Sequence, residues 1–314
     1  LEMSRAHHIL IIDDCHPVLQ DALSSYKVVY MPAITEAELE VELAKATILI
    51  MRSKLRITKE WIDRSPLLEL VGRLGSGMDN IDVAYAAQRG VKCINAPEGN
   101  SNAVAEQTIG MMIGMLAHIS RSSRQVRNGV WDRKGNQGKE LKNLCVGIIG
   151  YGNVGSALAK LLQVFGCKVM AYDKFKVGFG NEFVEEVSLE ELKSQADIVS
   201  LHVPLNEFSH EMINQSFINE MGKSFYLLNL SRGSVVKILD IIFGLKEGKI
   251  LGASLDVLPN ENILNLSAEE QNELNYLSEN KDVIVTPHIG GLTADSYKLL
   301  AEVLAKKINN WIKK

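Results

Sequence analysis

Residues 146–155 read Val-Gly-Ile-Ile-Gly-Tyr-Gly-Asn-Val-Gly, and they are the strongest local indication of the fold. It begins as a short apolar strand, and residues 156–162 continue as a helix with apolar side chains at helical spacing. The first of the three turn glycines permits a tight turn, the second lets the backbone approach a pyrophosphate, and the third lets the helix pack against the strand. The helix N-terminus adds unpaired N–H groups that bind anions. We therefore expect a dinucleotide to contact Gly150, Gly152, Asn153, Val154 and Gly155.

An acidic residue follows the next predicted strand. Residues 168–172 read Lys-Val-Met-Ala-Tyr, which indicates a buried strand, and Asp173 comes directly after them. A carboxylate about twenty residues beyond such a turn binds the adenosine ribose hydroxyls. It also repels the 2′-phosphate of NADP, so we expect the cofactor to be NAD, held in part by Asp173.

Short apolar runs alternate with helix-length segments along the whole chain. Bounded by Gly, Pro and Asp, such runs are typical of parallel strands that are buried on both faces. The predicted strands are residues 9–12, 28–30, 48–51, 70–72, 92–94, 146–149, 168–172, 198–202, 225–229, 251–255 and 283–285. Repeated strand–helix units of this kind indicate an α/β fold with two doubly wound parallel-sheet domains, a Rossmann nucleotide-binding domain and a flavodoxin-like substrate domain.

Two breaks in this pattern mark the domain boundaries. Residues 97–100, Pro-Glu-Gly-Asn, precede a long predicted helix, and Thr286-Pro287 interrupts the pattern a second time. We expect residues 100–287 to form the NAD-binding domain, and residues 1–99 and 288–314 to form a discontinuous substrate-binding domain.

The composition excludes several classes of function. The chain has 314 residues and a net charge of −4, so it lacks the basic surface expected for binding nucleic acid or an anionic membrane. The apolar stretch 108–119 is shorter than the roughly 20 residues that span a bilayer, and no secretory signal is visible. The four cysteines are scattered without metal-ligand spacing: Cys15, Cys93, Cys145 and Cys167. We expect a cytoplasmic protein with reduced thiols and no bound metal.

Three segments after later strands of the nucleotide-binding domain carry groups suited to acid–base chemistry. They are Asn229-Leu-Ser-Arg232-Gly233, Asp256-Val-Leu-Pro-Asn-Glu261 and Thr286-Pro-His288-Ile-Gly-Gly291. A doubly wound sheet binds its ligand at the carboxyl ends of its strands. A histidine has a pKa near neutrality and exchanges protons with a hydroxyl, and a neighbouring carboxylate favours the imidazolium. An arginine holds a substrate carboxylate with a planar fork that stays charged.

In this order, the three segments resemble the hallmarks of the D-2-hydroxyacid dehydrogenase family, and the resemblance extends from residues 51–53 to the C-terminal helix. The family moves a hydride between C2 of a small hydroxy acid and the nicotinamide of NAD. The resemblance implies that His288 is the catalytic acid/base, Glu261 its partner and Arg232 the group that binds the substrate carboxylate. It also implies cofactor contacts at Ser76, Val203, Leu230, Ser231, Asp256 and Gly290. Asp256 is expected near the nicotinamide amide.

Within the family, residues 72–82, 95–102 and 105–106 look closest to the phosphoglycerate dehydrogenase branch. This branch implies oxidation of D-3-phosphoglycerate to 3-phosphohydroxypyruvate, a step of serine biosynthesis, and several cations would suit the dianionic phosphate. The expected substrate contacts are Arg52, Ser53, Arg73, Gly75, Ser76, Gly77 and Arg133. Arg133 is expected to act from a neighbouring subunit, because the long-helix region resembles the family's dimer interface. We therefore expect a homodimer.

The chain departs from the family pattern at a few positions. Asn262 follows the expected catalytic Glu where the family usually has Pro, and the polar segment 262–280 separates it from the next strand. Ser231 replaces the usual Ala. Because the chain ends soon after the C-terminal helix, we expect no regulatory domain of the kind found in many phosphoglycerate dehydrogenases.

Two other functions are compatible with these residues. A glyoxylate or hydroxypyruvate reductase would use the same catalytic groups on a non-phosphorylated acid, without need of Arg73 or Arg133. An NAD-sensing binding protein, resembling the transcriptional corepressors built on this fold, would keep the nucleotide site and use a peptide cleft. The chain has no nuclear-type basic run, which argues against the second function.

Overall fold

The computed structural model describes residues 7–313. The first six residues and the last residue of the predicted substrate-binding domain, 1–6 and 314, lie outside the described residues. The chain divides into two compact units: the first extends to Ser101 and resumes at Leu292, and the second comprises Asn102–Gly291. The predicted boundaries at 99/100 and 287/288 therefore fall slightly before the observed ones. At the second boundary the cause is visible, because the backbone N–H groups of residues 289–290 donate to Asp256 inside the second unit.

The first unit is a five-stranded parallel sheet with helices on both faces. Its strands are β1 (His8–Ile11), β2 (Lys27–Tyr30), β3 (Ile48–Met51), β4 (Leu70–Arg73) and β5 (Lys92–Asn95), and its helices are α1 (Val18–Ala22), α2 (Glu36–Leu43), α3 (Lys59–Asp63), α4 (Val83–Gln88) and α12 (Ala294–Ile312). The strand order β2-β1-β3-β4-β5 is the flavodoxin-like order, which reverses direction between β1 and β3.

Both faces of this sheet are buried because its central strands are apolar. Every residue of β1 and β3 is buried. The apolar stripe Leu300, Leu304 and Ile308 of α12 packs on one face, and Leu39 and Leu43 of α2 pack on the other. These three residues are about one helical turn apart, so they lie on the same side of α12, and α12 therefore buries that side.

The second unit is a seven-stranded parallel sheet, also covered on both faces. Its strands are β6 (Cys145–Ile149), β7 (Lys168–Tyr172), β8 (Glu185–Glu186), β9 (Ile198–Leu201), β10 (Phe225–Asn229), β11 (Ile250–Leu255) and β12 (Val283–Val285), and its helices are α5 (Ser101–Leu116), α6 (Ile119–Arg127), α7 (Asn153–Leu162), α8 (Leu189–Gln195), α9 (Gln215–Glu220), α10 (Ile238–Lys246) and α11 (Ala268–Glu279). The order β12-β11-β10-β9-β6-β7-β8 is that of a Rossmann domain and reverses between β6 and β9.

The predicted fold class is confirmed, and each predicted strand is present to within a residue. Features that the sequence did not predict are the polar edge strand β8, a break between α5 and α6 where His118 has φ 55°, and helix α11 inside the polar segment 262–280. Within residues 7–313, none of the helices has both the length and the apolar character needed to cross a membrane.

Candidate active site

The glycine turn at residues 150–155 has no room for side chains where the backbone folds closely on itself. Gly150 has φ 94°, and a Cβ atom on it would lie 2.4 Å from the carbonyl oxygen of His202. A Cβ on Gly155 would lie 2.0 Å from the carbonyl oxygen of Gly150, so this glycine lets α7 approach the strand. A Cβ on Gly152 would meet nothing within 4 Å. The backbone of Gly152 therefore faces open space, from which a ligand could approach.

The start of α7 fits a pyrophosphate. The helix begins at Asn153 after the N-cap Gly152, which offers no side chain to the N–H groups of the first turn. Those donors and the positive end of the helix dipole remain available to an anion. Asn153 and Val154, both predicted to contact the cofactor, are the first two residues of this helix.

Asp173 is tied to the glycine turn. Its Oδ2 accepts a hydrogen bond from the Tyr151 N–H (2.8 Å), and its Oδ1 accepts two from the loop that follows β7 (2.9 and 3.0 Å). A carboxylate has about four acceptor sites, so capacity remains for a ribose hydroxyl. Val203 stands beside the same turn, since a Cβ on Gly150 would lie 2.9 Å from its Cγ1. The bare backbone and the carboxylate together fit NAD.

His288 and Glu261 form a hydrogen-bonded acid–base pair at the carboxyl edge of the same sheet. Glu261 Oε2 lies 2.7 Å from His288 Nδ1, and the two side chains are 46% and 44% exposed. The hydrogen bond to Glu261 raises the pKa of His288. The charges of Glu261 and Asp256 add to this rise, while partial burial and the charge of Arg232 oppose it. Because the carboxylate occupies Nδ1, Nε2 is the ring nitrogen left to exchange a proton with a substrate.

Arg232 is presented by a turn that Asn229 locks. The Asn229 side chain is fully buried; its Oδ1 accepts from the Ser231 N–H (3.1 Å) and hydroxyl (2.8 Å), and its Nδ2 donates to the Arg232 carbonyl (2.9 Å). Leu230 and Ser231, both predicted cofactor contacts, are buried. The Ser231 hydroxyl is used inside the turn, where it and the Ser231 N–H both donate to Asn229.

Asp256 holds the turn that carries His288. Its side chain is 1% exposed and accepts hydrogen bonds from the Gln107 amide (2.9 Å), the Thr286 hydroxyl (2.5 Å) and two N–H groups of residues 289–290 (3.1 and 2.7 Å). Its carbonyl accepts the His288 N–H at 2.8 Å. His288 has φ 52°, a left-handed conformation that a non-glycine residue keeps only when its surroundings enforce it. The proximity of Asp256 to the nicotinamide amide stays a prediction.

Two of these supporting residues were missed in the sequence. Gln107 lies on α5, 149 residues before Asp256, and no local pattern connects them. Thr286 stands in the same short segment as His288, where a hydroxyl beside an expected catalytic residue was an available signal.

The first unit holds most of the predicted substrate residues at the carboxyl ends of its strands. Arg52 and Ser53 follow β3, and Arg73 ends β4. The Arg52 N–H donates to Asp13 Oδ2 at 2.6 Å, and its guanidinium carbon lies 5.8 Å from the ring centroid of Tyr297. The Arg52 side chain is thus placed by its own unit.

The loop after β4 contains the predicted glycines. A Cβ on Gly75 would lie 1.6 Å from Arg73 Nη1, so the guanidinium lies across this glycine. The Ser76 hydroxyl donates to Asn100 Oδ1 at 2.6 Å, and Gly77 is partly buried. Ser76 therefore has a partner within the first unit.

Arg133 lies in the second unit, on an exposed loop. With Val126, Val130 and Trp131 it lines a shallow hollow, and Trp131 is 79% exposed. Its expected action from a neighbouring subunit stays a prediction.

A glycine turn that fits a pyrophosphate and a hydrogen-bonded His–Glu pair on one sheet edge are together typical of dehydrogenases that use a nicotinamide cofactor. The chain belongs to the D-isomer specific 2-hydroxyacid dehydrogenase family, whose NAD binding domain matches residues 109–290. That match lies within the second unit, so this unit is the family's NAD-binding domain.

Comparison with known proteins gives relatives of more than one activity. The chain is 32% identical over 309 residues to D-3-phosphoglycerate dehydrogenase of Methanocaldococcus jannaschii, covering 96% of this chain and 56% of that protein. It is 34% identical over 271 residues to hydroxypyruvate reductase of Thermotoga maritima, covering 86% of each. Among solved structures, D-lactate dehydrogenase from Aquifex aeolicus, complexed with NAD and lactic acid, has a TM-score of 0.85 at 28% identity, covering 98% and 96% of the two chains. The chain therefore spans about half of the first relative and most of the second.

Proposed function

We propose that this protein is an NAD-dependent D-2-hydroxyacid dehydrogenase that interconverts a 2-hydroxy acid and its 2-oxo acid. The observation that carries the proposal is the 2.7 Å contact between His288 and Glu261 on the sheet edge that also holds the glycine turn. Bound NAD would supply the hydride acceptor.

Residues of the chain would accept the proton of the C2 hydroxyl and pair with the charge of the substrate carboxylate. In the oxidative direction, His288 Nε2 accepts the proton of the C2 hydroxyl, and the carboxylate of Glu261 stabilises the resulting imidazolium. The guanidinium of Arg232 would pair with the substrate carboxylate and polarise the C2 oxygen. Asp256 and Asn229 would keep His288 and Arg232 in place, because each is buried and bonded to the turn concerned.

For the substrate, we propose D-3-phosphoglycerate, which is oxidised to 3-phosphohydroxypyruvate as in serine biosynthesis. The support is the pair of arginines at neighbouring strand ends, Arg52 and Arg73, which suits an anion with more than one negative charge. The similarity to several phosphoglycerate dehydrogenases points the same way.

Hydroxypyruvate reduction is the second candidate. It is favoured by the relative from Thermotoga maritima, because the match covers 86% of both chains. The catalytic groups would be the same, and the difference would lie in whether Arg73 and Arg133 contact the substrate.

We also propose that the protein is a homodimer and is located in the cytoplasm. Val126, Val130 and Trp131 are 52%, 47% and 79% exposed around the hollow beside Arg133, and exposed apolar surface of this kind marks an interaction site. All four cysteines lie in the described part of the chain and are free thiols, which accords with a reducing compartment.

The test is steady-state kinetics with NAD and D-3-phosphoglycerate or D-glycerate, and with NADH and hydroxypyruvate or glyoxylate. We expect the highest kcat/KM for D-3-phosphoglycerate, and a rise in its KM in Arg73→Ala. In His288→Asn, kcat should fall by roughly 10²- to 10⁴-fold, the contribution of acid–base catalysis, with NAD affinity retained in calorimetry. His210→Asn, an exposed histidine of the same unit, is the control.

The outcomes separate the candidates. Undiminished turnover in His288→Asn would reject the acid/base assignment. A preference for hydroxypyruvate that Arg73→Ala leaves unchanged would assign the second candidate instead.

A further inference from the structure

The polar segment 262–280 folds back onto the loop that carries Glu261. Most of the segment is helix α11, whose N-terminus is closed by a capping box: the Ser267 N–H donates to Glu270 Oε2 at 2.7 Å, and the Glu270 N–H donates to Ser267 Oγ at 3.2 Å. A capping box satisfies two orphan donors of a helix start and fixes the Glu side chain in place.

The same carboxylate has a second partner outside the helix. Glu270 Oε1 accepts a hydrogen bond from the side-chain amide of Asn260 at 3.1 Å. Bonds from the Ser267 N–H, the Asn260 amide and the Ser267 hydroxyl lower the pKa of Glu270, so it stays ionised. An ionised acceptor makes the stronger kind of hydrogen bond.

Asn260 braces the loop on both sides of Glu261. Its amide nitrogen donates to Glu270, and its amide oxygen accepts the N–H of Asn262 at 3.1 Å. The two atoms therefore connect the residue before Glu261, the residue after it, and the start of α11.

Apolar contacts and a close backbone approach support the same arrangement. Leu258 and Leu277 belong to one hydrophobic core, so the loop and α11 share packing. On the other side, a Cβ on Gly233 would lie 1.9 Å from the carbonyl carbon of Leu258, so the backbone next to Arg232 lies against this loop. The Glu261 side chain is 46% exposed. Because core packing does not fix it, its position depends on the loop that carries it.

We propose that Glu270, acting through Asn260, is a positioning residue that holds the Glu261 carboxylate against His288 Nδ1. The inference rests on the proposed function only for its kinetic readout. It adds a role for the 262–280 segment, which is otherwise a departure from the family pattern.

The test measures the His288 titration by NMR in the free protein, together with the pH profile of kcat for oxidation. The charged groups acting on His288 are Glu261, Arg232 and Asp256. Loosening the loop weakens the contact with Glu261, which is the largest cause of the raised pKa. In Asn260→Ala we therefore expect the His288 pKa to fall and the acidic limb of the profile to move to lower pH. We expect kcat to fall roughly tenfold, part of the 10²- to 10⁴-fold that acid–base catalysis supplies, with KM for NAD unchanged.

Matched variants separate positioning from helix stability. Ser267→Ala removes the capping hydroxyl but leaves the Asn260–Glu270 bond, so it should lower Tm and leave the His288 titration at its wild-type value. Glu270→Gln keeps an acceptor for Asn260 but loses the charge, so its His288 pKa should lie between those of the wild type and Asn260→Ala, whereas Glu270→Ala should behave like Asn260→Ala.

The proposal is overturned if Asn260→Ala leaves the His288 titration unchanged, or if Ser267→Ala shifts it equally. The NMR readout needs no substrate. It therefore judges this inference even if the chain proves inactive on every hydroxy acid, a result that would count against the proposed function alone.

Discussion

The two units share one architecture, a parallel sheet covered by helices on both faces. They differ in the residues found at the point where the strand order reverses. In the first unit this point lies between β1 and β3, and a side chain takes up a loop N–H there: Asp13 accepts the Arg52 N–H at 2.6 Å. In the second unit it lies between β6 and β9, and it is bare backbone, with Gly150 packed against the carbonyl of His202.

In both units the topology provides a crevice, and the residues at its edge determine which ligand it accepts. Parallel strands open a crevice at their carboxyl ends wherever the order reverses. Where glycines remove the side chains, N–H groups at a helix start face an anion. Where a carboxylate takes up loop N–H groups instead, we expect an arginine side chain such as Arg52 to bind an anionic ligand.

The largest effect is expected from adding a methyl group to the glycine turn of the second unit. Gly152→Ala faces open space in the protein, so Tm should be unchanged, while NAD affinity should fall a hundredfold or more, equivalent to about 3 kcal/mol of lost hydrogen bonding. Gly155→Ala would meet the Gly150 carbonyl and should also lower stability by about 1–3 kcal/mol. Calorimetry with NAD and thermal unfolding measure both. Full NAD affinity in Gly152→Ala would remove the basis of the contrast.

A large effect on pH dependence is expected from Glu261→Gln in the same unit. Glu261 raises the pKa of His288, and oxidation needs the neutral imidazole, so activity falls on the acid side of that raised value. Without the carboxylate charge the pKa falls, and the acidic limb should move to lower pH. The plateau kcat should drop between about ten- and a hundredfold, because the imidazolium loses its partner. A limb that stays in place in kcat–pH profiles would contradict the pairing.

A smaller effect is expected at the corresponding point of the first unit. Asp13→Ala removes the acceptor of the Arg52 N–H, so the loop should loosen and the KM for the hydroxy acid should rise about tenfold, equivalent to about 1.4 kcal/mol. NAD affinity should not change. Asp14→Ala is the control, because its carboxylate accepts the Tyr30 hydroxyl instead. Equal effects of the two variants would show that the Asp13 contact has no special role.

The smallest effect is expected from Gly75→Ala. The added Cβ would displace the flexible end of Arg73 rather than backbone, and because Gly75 has φ 158° it would also strain the loop, so a lower Tm should accompany the kinetic effect. We expect the KM for D-3-phosphoglycerate to rise about threefold, since a displaced guanidinium loses part of one charge-assisted contact. In an Arg73→Ala background, Gly75→Ala should cause no further rise in the KM for D-3-phosphoglycerate. An additive loss in the double variant would mean that Gly75 acts independently of Arg73.

Elements that repeat with a fixed period or spacing could be predicted from the sequence. Apolar runs predicted both sheets because a strand buried on two faces must be apolar along its length. The glycine turn was readable because steric exclusion acts on neighbouring residues, as at Gly150 and Gly155. Helix α11 carried a local signal as well, Ser267 followed three residues later by Glu270, although its polar surface concealed it. Strand β8 carried none, because two glutamates have no apolar pattern.

The hydrogen bonds that hold the candidate catalytic residues are visible only in the folded protein. Gln107 and the segment 286–290 meet on Asp256 from parts of the chain that are far apart, and Asn260 meets Glu270 at the start of α11. Hydrogen bonds of this kind depend on where side chains stand after the sheets have packed. They leave no period in the sequence, and so the sequence predicted His288 and Glu261 but not the groups that hold them together.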